Sequence, residues 1–388
     1  MTFVSFAQRP SHPMSFKYLG RSSNVPCSNS PCGFTRSSFA LRRGETGYLA
    51  ISSSFNVYSN SSDCTVQRYL VLSFHPMEKH LVIGASGQLG IELTLGMQAR
   101  YGIHAVVASD IRQSTDEEVN RSEFILLDAS DAHAVRKVLT EGKFTHVYHL
   151  VAMLSARGEQ NPLAAWDLNM KSLINVLECA KDGLFEKMFW PSSIAVFGPN
   201  APKTQTAQNT FCDPTTVYGV SKVAGELWTK YYFEHYGVDV RSVRYPGLIG
   251  HRSQPGGGTT DYAVEAFYCA LEDKPFECYL EHYETLPMMH MDDAVRATLE
   301  LMETAKENIT VRTSYNLAGC SFSPSELNSE IMKIIPEFTT SYKPDLRQQI
   351  AASWPDSIND QEARADWGWS AKYDTTGLIK AMLQALKV

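Results

Sequence analysis

Two residues four positions apart, Tyr218 and Lys222, could together supply a base for catalysis. On a helix, this spacing places both side chains on one face, one turn apart. The ammonium of Lys222 would then favour the phenolate form of Tyr218, because a tyrosine ordinarily ionises only near pH ~10. The same spacing is common on helices without a catalytic role, so its meaning depends on the rest of the chain.

A second chemical feature is the glycine-rich turn Gly84-Ala85-Ser86-Gly87-Gln88-Leu89-Gly90. Three glycines spaced in this way allow a tight turn, a close approach to a pyrophosphate and close packing of a helix on a strand. The free amide groups at the start of that helix would face the phosphates. Since the turn lies between the first predicted strand and the first predicted helix, it predicts a dinucleotide-binding site.

Charged residues after the next two predicted strands bear on the choice of cofactor. Asp110 could accept hydrogen bonds from the adenosine ribose and would repel a 2′-phosphate, which favours NAD over NADP. Arg112 could instead hold that phosphate, but we favour the alternative of a solvated loop charge. Asp128 could reach the adenine edge, or it could only cap the helix that follows.

Short apolar strands alternate with longer helical stretches from Lys79 onward. Strands are predicted at residues 80–83, 105–108, 124–127, 146–151, 188–191 and 240–244, and helices at 89–100, 132–140, 162–180 and 216–236. This alternation predicts an α/β fold with a doubly wound parallel sheet of the Rossmann type over about 78–250. We expect a smaller α/β substrate lobe from most of 251–388, with part of the chain returning to the first domain and the active site in the cleft between them.

The composition excludes several classes of protein. The 388 residues are 44% hydrophobic, and 35 basic against 42 acidic residues give a net charge of −7, which argues against nucleic-acid binding and against binding to an anionic membrane. No apolar run approaches the ~20 residues that span a bilayer. The eight cysteines and eleven histidines show no C-x-x-C or H-x-x-x-H spacing, so no metal site is expected.

Residues 1–77 differ from the rest of the chain, because they contain seven basic residues, two acidic residues and sixteen serines. A basic, serine-rich, acid-poor segment is typical of an organelle transit peptide, which predicts the mitochondrial matrix. The alternatives are a disordered tail and translation that begins at Met77, and either of these would leave a cytoplasmic protein.

Four motifs in a fixed order carry a resemblance to a known family. They are the glycine turn, Pro191-Ser192-Ser193-Ile194-Ala195-Val196-Phe197-Gly198, the segment from Tyr218 to Lys222, and Arg244-Tyr245-Pro246-Gly247-Leu248-Ile249-Gly250. In this order they resemble the extended short-chain dehydrogenase/reductases. The resemblance implies that Ser193, or Ser192 as the alternative, assists the tyrosine. It also places five further residues beside the cofactor, namely Gln88, Leu89, Leu150, Ala152 and Tyr245.

Three longer stretches, at 149–159, at 255–262 and at 353–357 with 365–369, resemble the NAD-dependent, zinc-independent L-threonine 3-dehydrogenase branch of that family. Sugar-nucleotide dehydratases carry an Asp-Glu pair where this chain has Ile194 and Ala195. An elimination of water therefore has no obvious acid and base here. Epimerases of the family would have an Asn-Pro-containing segment where this chain has the glycine-rich stretch at 255–262.

The resemblance implies oxidation of the L-threonine side-chain alcohol by NAD+, which gives 2-amino-3-ketobutyrate and NADH. Tyr218 would remove the hydroxyl proton, Lys222 would lower the tyrosine pKa and bind the nicotinamide ribose, and Ser193 would orient the alcohol. Groups around Ser155 and Thr260 would meet the substrate carboxylate, with Asp261 near the ammonium. A helix-capping role for Thr260 and Asp261 is the alternative.

Family members usually pair two long helices of each subunit into a four-helix bundle, so the helices at 162–180 and 216–236 imply a homodimer. Two other functions stay open. One is an extended dehydrogenase or epimerase that acts on a nucleotide sugar, and the other is a non-catalytic NAD-binding regulator.

Overall fold

The computed structural model describes residues 78–256 and 258–387, together with the backbone of three strands nearer the amino terminus. These three strands pair antiparallel in the order β1 (Phe34–Arg43), β2 (Tyr48–Ser59) and β3 (Ser62–Ser73). The chain divides after Met77 into two units. The transit peptide or disordered tail expected for residues 1–77 falls largely outside the described residues and stays a prediction.

A parallel sheet of six strands forms the centre of the second unit, in the order β10-β8-β7-β4-β5-β6. The strands of this unit are β4 (His80–Ile83), β5 (Val106–Asp110), β6 (Glu123–Leu126), β7 (His146–His149), β8 (Lys187–Phe189), β9 (Ser192–Ser193), β10 (Asp239–Arg241), β11 (Val243–Tyr245), β12 (Gly247–Ile249), β13 (Phe276–Cys278), β14 (Leu286–His290), β15 (Tyr315–Asn316), β16 (Cys320–Phe322) and β17 (Thr340–Tyr342). The chain runs outward from β4 to β6 and then crosses back to β7 on the other side of β4. This reversal creates a crevice at the carboxyl ends of β4 and β7, where ligands bind in open α/β sheets.

Helices cover both faces of the sheet. They are α1 (Gln88–Tyr101), α2 (Ala132–Gly142), α3 (Ser155–Gln160), α4 (Pro162–Lys181), α5 (Val217–Tyr236), α6 (Tyr262–Leu271), α7 (Met291–Glu303), α8 (Pro324–Met332), α9 (Leu346–Ala352), α10 (Gln361–Trp367) and α11 (Thr375–Leu386). Alternate residues of β4 point to opposite faces. Val82 packs in one core with residues of α1 and α7, while Leu81 and Ile83 pack in another with residues of α2, α4 and α5. The doubly wound α/β fold expected from the sequence is therefore confirmed.

A third core lies in the later part of the chain, where buried residues of α6, α8, α9 and α11 pack together. Short strands flank these helices, with β12, β14 and β16 in one sheet and β13 beside β17 in another. This core also contains Ile194, Ala195 and Val196, which follow β9, so it packs beside the small sheet of β15, β11 and β9. Within the described part of the chain, none of the helices combines the length and the apolar character needed to cross a bilayer.

The carboxyl end of β7 holds a buried histidine whose titration should affect stability. His149 is fully buried, one ring nitrogen lies 3.1 Å from the Ser172 hydroxyl, and burial lowers the pKa of the imidazole to about 3. In the unfolded chain its pKa is ~6.5, so between these values the unfolded state binds the extra proton. Stability due to this group is therefore complete above pH ~6.5 and falls by about 1.4 kcal/mol per pH unit below it.

Urea unfolding at pH 7 and pH 5.5 measures this effect when wild type and His149→Asn are compared. We expect the wild type to lose about 1 kcal/mol more than the variant over that interval. His133→Asn, on the exposed start of α2, is the matched control and should follow the wild type. An equal loss in wild type and His149→Asn would contradict the prediction.

Candidate active site

The glycine turn lies at the carboxyl end of β4 and has the close backbone packing that a phosphate site needs. Gly84 has a φ of +95°, and its amide donates to the Ser109 carbonyl oxygen at 2.8 Å. A Cβ on Gly90 would lie 2.1 Å from the Gly84 carbonyl oxygen, so only glycine lets α1 begin this close to the turn. Gly87 precedes the first residue of α1, and the amide groups of the first helical turn are available to an anion.

Asp110, at the end of β5, holds the turn in place. Its carboxylate accepts hydrogen bonds from the Ser86 amide at 3.0 Å and from the Arg112 amide at 3.4 Å. The Ser86 hydroxyl in turn donates to the Arg112 carbonyl oxygen at 3.0 Å. The carboxylate predicted to bind the ribose therefore lies beside the turn predicted to bind the phosphates. The backbone of Arg112 is hydrogen-bonded to Asp110 and to Ser86 of that turn.

Asp128 follows β6, and its carboxylate accepts hydrogen bonds from the amide and the hydroxyl of Ser130. The cap of α2 is a different residue, Asp131, which accepts from the amides of His133 and Ala134. The sequence left a capping role open for Asp128, and that alternative is wrong because Asp131 fills it.

A cavity of about 240 Å³ opens above the turn and brings together most of the residues singled out from the sequence. Those that line it are Gly87, Gln88, Leu89, Leu150, Ala152, Ser155, Ser193, Tyr218, Lys222, Tyr245, Thr260 and Asp261. Several other residues that line the cavity were not predicted as site residues from the sequence, among them Thr259 and Trp354. Both residues belong to stretches that carried the resemblance, and that was the available signal.

Helix α5 brings Tyr218 to the cavity. The Thr216 side chain accepts a hydrogen bond from the Gly219 amide at 3.1 Å, which starts the helix. A Cβ on Gly219 would lie 2.2 Å from the Ala195 carbonyl oxygen, so the helix packs directly on the loop after β9. Burial raises the pKa of Tyr218 to about 12, and a hydrogen bond with the Ser193 hydroxyl acts against that shift. The phenol and the Ser193 hydroxyl therefore meet in the cavity, as the sequence predicts.

Lys222 lies one turn further along α5 and is almost fully buried. Its ammonium donates to the Pro191 carbonyl oxygen at 2.6 Å and lies 5.5 Å from the centre of the Tyr218 ring. Burial lowers the pKa of Lys222 to about 7, and the Glu226 carboxylate opposes this shift. The amine can therefore change its charge near neutral pH. The lowering of the Tyr218 pKa by Lys222 stays a prediction, because burial and the Ser193 hydrogen bond are what act on that pKa in the protein.

A buried ion pair that the sequence did not reveal supports this part of the site. Arg244 donates to the two carboxylate oxygens of Glu226 at 2.8 and 2.7 Å, and the Ser192 hydroxyl donates to one of them at 2.6 Å. Ser192 is therefore bonded to Glu226, whereas the hydroxyl of Ser193 faces Tyr218. A signal was present, since Glu226 lies four residues after Lys222 and Arg244 begins a motif, but only the fold brings the two together.

Three further residues predicted to bind the substrate, Ser155, Thr260 and Asp261, also line the cavity. The Ser155 hydroxyl is 3.2 Å from the hydroxyl of Thr259, and both side chains are buried. The Asp261 carboxylate accepts from the amides of Gly256 and Gly258 at 2.7 and 2.8 Å. Asp261 therefore shapes the loop before α6, through a hydrogen-bond pattern different from either role considered for it. Thr260 packs against Gly247, where a Cβ would lie 2.8 Å from its methyl group.

The geometry fits a dinucleotide. A turn that excludes side chains at Gly90, free amides at the start of α1 and the carboxylate of Asp110 are the groups that bind a pyrophosphate and a ribose. The buried side-chain nitrogen of Gln88 has no hydrogen-bond partner among the described residues and lines the same cavity. The nicotinamide end would then lie toward Tyr218 and Lys222.

Comparisons with known proteins agree with this geometry. The model of the NAD dependent epimerase/dehydratase family matches residues 80–318. The chain is 45% identical over 314 residues to an uncharacterized epimerase/dehydratase of Staphylococcus haemolyticus, covering 80% of this chain and 98% of the relative.

Two solved structures are also similar. One is a GalE-like L-threonine dehydrogenase from Cupriavidus necator in its holo form, with 50% identity and a TM-score of 0.78 over 79% of this chain and 99% of that one. The other is a monomeric L-threonine 3-dehydrogenase from a metagenome, in its apo form, with 46% identity and a TM-score of 0.77 over 79% and 98%.

Proposed function

This chain belongs to the NAD-dependent epimerase/dehydratase family, and from that premise we propose that it oxidises the side-chain hydroxyl of L-threonine. The products are 2-amino-3-ketobutyrate and NADH, and the cofactor is NAD. Two similar solved structures, both of L-threonine dehydrogenases, support the choice of substrate at 50% and 46% identity.

One observation carries the proposal more than any other. The cavity of about 240 Å³ joins the glycine turn to Ser193, Tyr218 and Lys222 on one side and to buried hydroxyls on the other. The paired hydroxyls of Ser155 and Thr259 offer donors to a carboxylate, and Trp354 also lines the cavity.

Each residue has a role that follows from its position. When bound, NAD+ supplies the hydride acceptor. Tyr218 takes the hydroxyl proton, because its phenol is the titratable group that lies against Ser193 in the cavity. Ser193 orients the alcohol oxygen, while Lys222 carries positive charge near the phenol and so stabilises the phenolate. Asp110 and the amides at the start of α1 hold the adenosine end.

A substrate panel tests the proposal directly. NADH formation should be rapid with L-threonine, and UDP-glucose and UDP-galactose should be neither oxidised nor epimerised. Epimerisation of the UDP-sugars without threonine oxidation would replace the proposal by the nucleotide-sugar alternative. NAD+ binding without turnover of any panel member would favour the non-catalytic regulator.

The Asp110 carboxylate should set the preference for NAD. Asp110→Asn keeps an oxygen that can accept from the Ser86 amide, but it removes the charge that repels a 2′-phosphate. We expect the ratio of kcat/KM with NAD+ to kcat/KM with NADP+ to fall by about tenfold. Asp128→Asn is the matched control, because Asp128 bonds only within its own turn among the described residues, and it should leave the ratio unchanged. An unchanged ratio in Asp110→Asn would show that another residue sets the preference.

We also propose that the protein is a homodimer that pairs α4 and α5 with the same helices of a second copy. Large apolar side chains are exposed on these helices, including Leu163, Trp166, Leu227, Trp228 and Tyr231. A patch of this kind is typical of an interface. A monomeric relative at 46% identity makes the test necessary. Light scattering should give twice the chain mass for wild type and the chain mass for Leu227→Glu, whereas a monomeric wild type would contradict the proposal.

A further inference from the structure

Three potential metal ligands lie close together at the amino ends of the central strands, whereas the active site lies at their carboxyl ends. His80 begins β4 and His146 begins β7, and the two residues are partners in the parallel pairing of these strands. Glu78 lies two residues before His80. One ligand atom from each of the three side chains lies within 4.8 Å of the other two. The cluster is formed by strand pairing between residues 66 positions apart in the chain.

His80 is held rigidly but lacks hydrogen bonds. The residue is 1% exposed, and its ring stacks on that of Tyr101 with 4.3 Å between the ring centres. Neither ring nitrogen has a hydrogen-bond partner among the described residues, and Nε2 lies 3.7 Å from a carboxylate oxygen of Glu78. A buried polar group without a hydrogen-bond partner lowers the stability of the fold, so a bound ligand would stabilise this imidazole.

His146 is oriented in the way that metal-binding histidines commonly are. Its Nδ1 lies 2.8 Å from the Thr145 hydroxyl, which leaves Nε2 for a ligand. The lone pair of a neutral imidazole nitrogen is the group that binds a metal ion, and His146 keeps its Nε2 available for that role.

We propose that Glu78, His80 and His146 bind one divalent transition-metal ion of the zinc class. Two imidazoles and a carboxylate are ligands that Zn²⁺ accepts, whereas Mg²⁺ and Ca²⁺ prefer oxygen ligands. An ion at the centre of three atoms that are at most 4.8 Å apart would lie no more than about 2.8 Å from each, against ~2.0–2.1 Å in a zinc site. An inward shift of at most ~0.7 Å by each ligand closes the site. Glu78 is free to make its part of that shift, because its side chain is 58% exposed.

Charges of both signs surround the cluster, including Arg241 and Asp239 near His146. The ammonium of Lys187, on the strand beside β7, opposes a cation, but it donates to the Met302 carbonyl oxygen at 3.2 Å. The Glu303 carboxylate lies nearby and accepts from Arg100 and Tyr101. Glu78 is thus the carboxylate that remains to neutralise an ion. Water would occupy the fourth coordination position of that ion, on the solvent-exposed side.

The position of the site predicts what the ion does. It lies at the amino ends of β4 and β7, whereas the glycine turn and the catalytic cavity lie at their carboxyl ends. The ion therefore joins the start of the second unit to two central strands. It stabilises the fold and takes no part in turnover.

Zinc titration of the full chain tests the proposal, after removal of any affinity tag and of bound metal with a chelator. We expect one Zn²⁺ per chain at this site, with a higher Tm when it is bound. Glu78→Gln should weaken binding by at least about tenfold and His146→Gln by at least about 100-fold. Threonine oxidation by Glu78→Gln should equal that of the wild type. Glu78 is exposed, so this variant provides the decisive result even if His146→Gln does not fold.

His104→Gln is the matched control, because His104 is exposed at the same edge of the sheet, just before β5. It should bind Zn²⁺ like the wild type. Co²⁺ provides a second readout, because histidine and carboxylate ligands give visible bands without the near-ultraviolet absorption of cobalt–thiolate bonds, which separates this site from the eight cysteines. The proposal is overturned if the wild type binds no Zn²⁺ at micromolar concentration, if Glu78→Gln binds as tightly as wild type, or if His104→Gln is weakened as much.

Discussion

Replacing Tyr218 with phenylalanine should lower kcat for threonine oxidation by at least about 100-fold while NAD+ binding stays nearly unchanged. The substitution removes only the phenolic oxygen, and the aromatic ring keeps its place in the core beside α5. Without that oxygen, the site has no titratable group against Ser193 to accept the proton. Stopped-flow measurement of NADH formation and fluorescence titration of NAD+ provide the two readouts.

The pH profile gives this prediction a second test. Burial holds the pKa of Tyr218 well above neutrality, at about 12 in the protein alone, so the base form becomes more populated as pH rises. The kcat/KM of the wild type should therefore rise as the pH approaches neutrality and level off above pH ~7, where Lys222 loses the charge that stabilises the phenolate, and Tyr218→Phe should lack that rise. Tyr283→Phe, which is exposed and lies outside the proposed dimer helices, is the matched control for both measurements. If Tyr218→Phe turned over threonine at the wild-type rate, Tyr218 would not be the base.

Features that depend on neighbours in the chain were predictable. The alternation of short apolar strands and helices predicted β4, α1 and α5 to within a residue or two, because period and capping are local properties. The glycine turn was recognisable for the same reason, since all its glycines act within seven residues. The spacing of Tyr218 and Lys222 predicted that both lie on one face of a helix. That this face lines the cavity is a property of the fold.

Features that depend on pairing across the fold were not predictable. Glu226 lies on α5 and Arg244 lies on β11. The sequence around either residue does not indicate that the two form an ion pair. The Asp261 carboxylate was assigned either to the substrate or to a helix cap, yet it bonds to amides of the loop before it. His80 and His146 are adjacent only because β4 and β7 pair. A search for metal ligands at short spacing cannot find them, so the sequence predicted no metal site.

The largest loss of stability should come from Arg244→Met, which removes one partner of the buried pair behind the active site. The guanidinium donates to both oxygens of Glu226, and also to the Gln208 carbonyl oxygen and to the Asn316 side chain at 2.9 and 3.1 Å. Without it, the Glu226 carboxylate stays buried with the Ser192 hydroxyl as its remaining donor. An uncompensated buried charge of this kind costs about 3–5 kcal/mol.

Urea unfolding measures that loss, and a double variant shows whether charge is its cause. Arg244→Met combined with Glu226→Leu removes both charges, so the double variant should recover a large part of the stability lost by the single variant. It should not recover full activity, because Glu226 opposes the fall in the pKa of Lys222. Without Glu226, the amine carries less positive charge at neutral pH and stabilises the phenolate less. If the single variant unfolded at the same urea concentration as the wild type, the ion pair would have no structural role. A double variant with full turnover would show instead that Lys222 acts independently of Glu226, and the network behind the cavity would then serve stability alone.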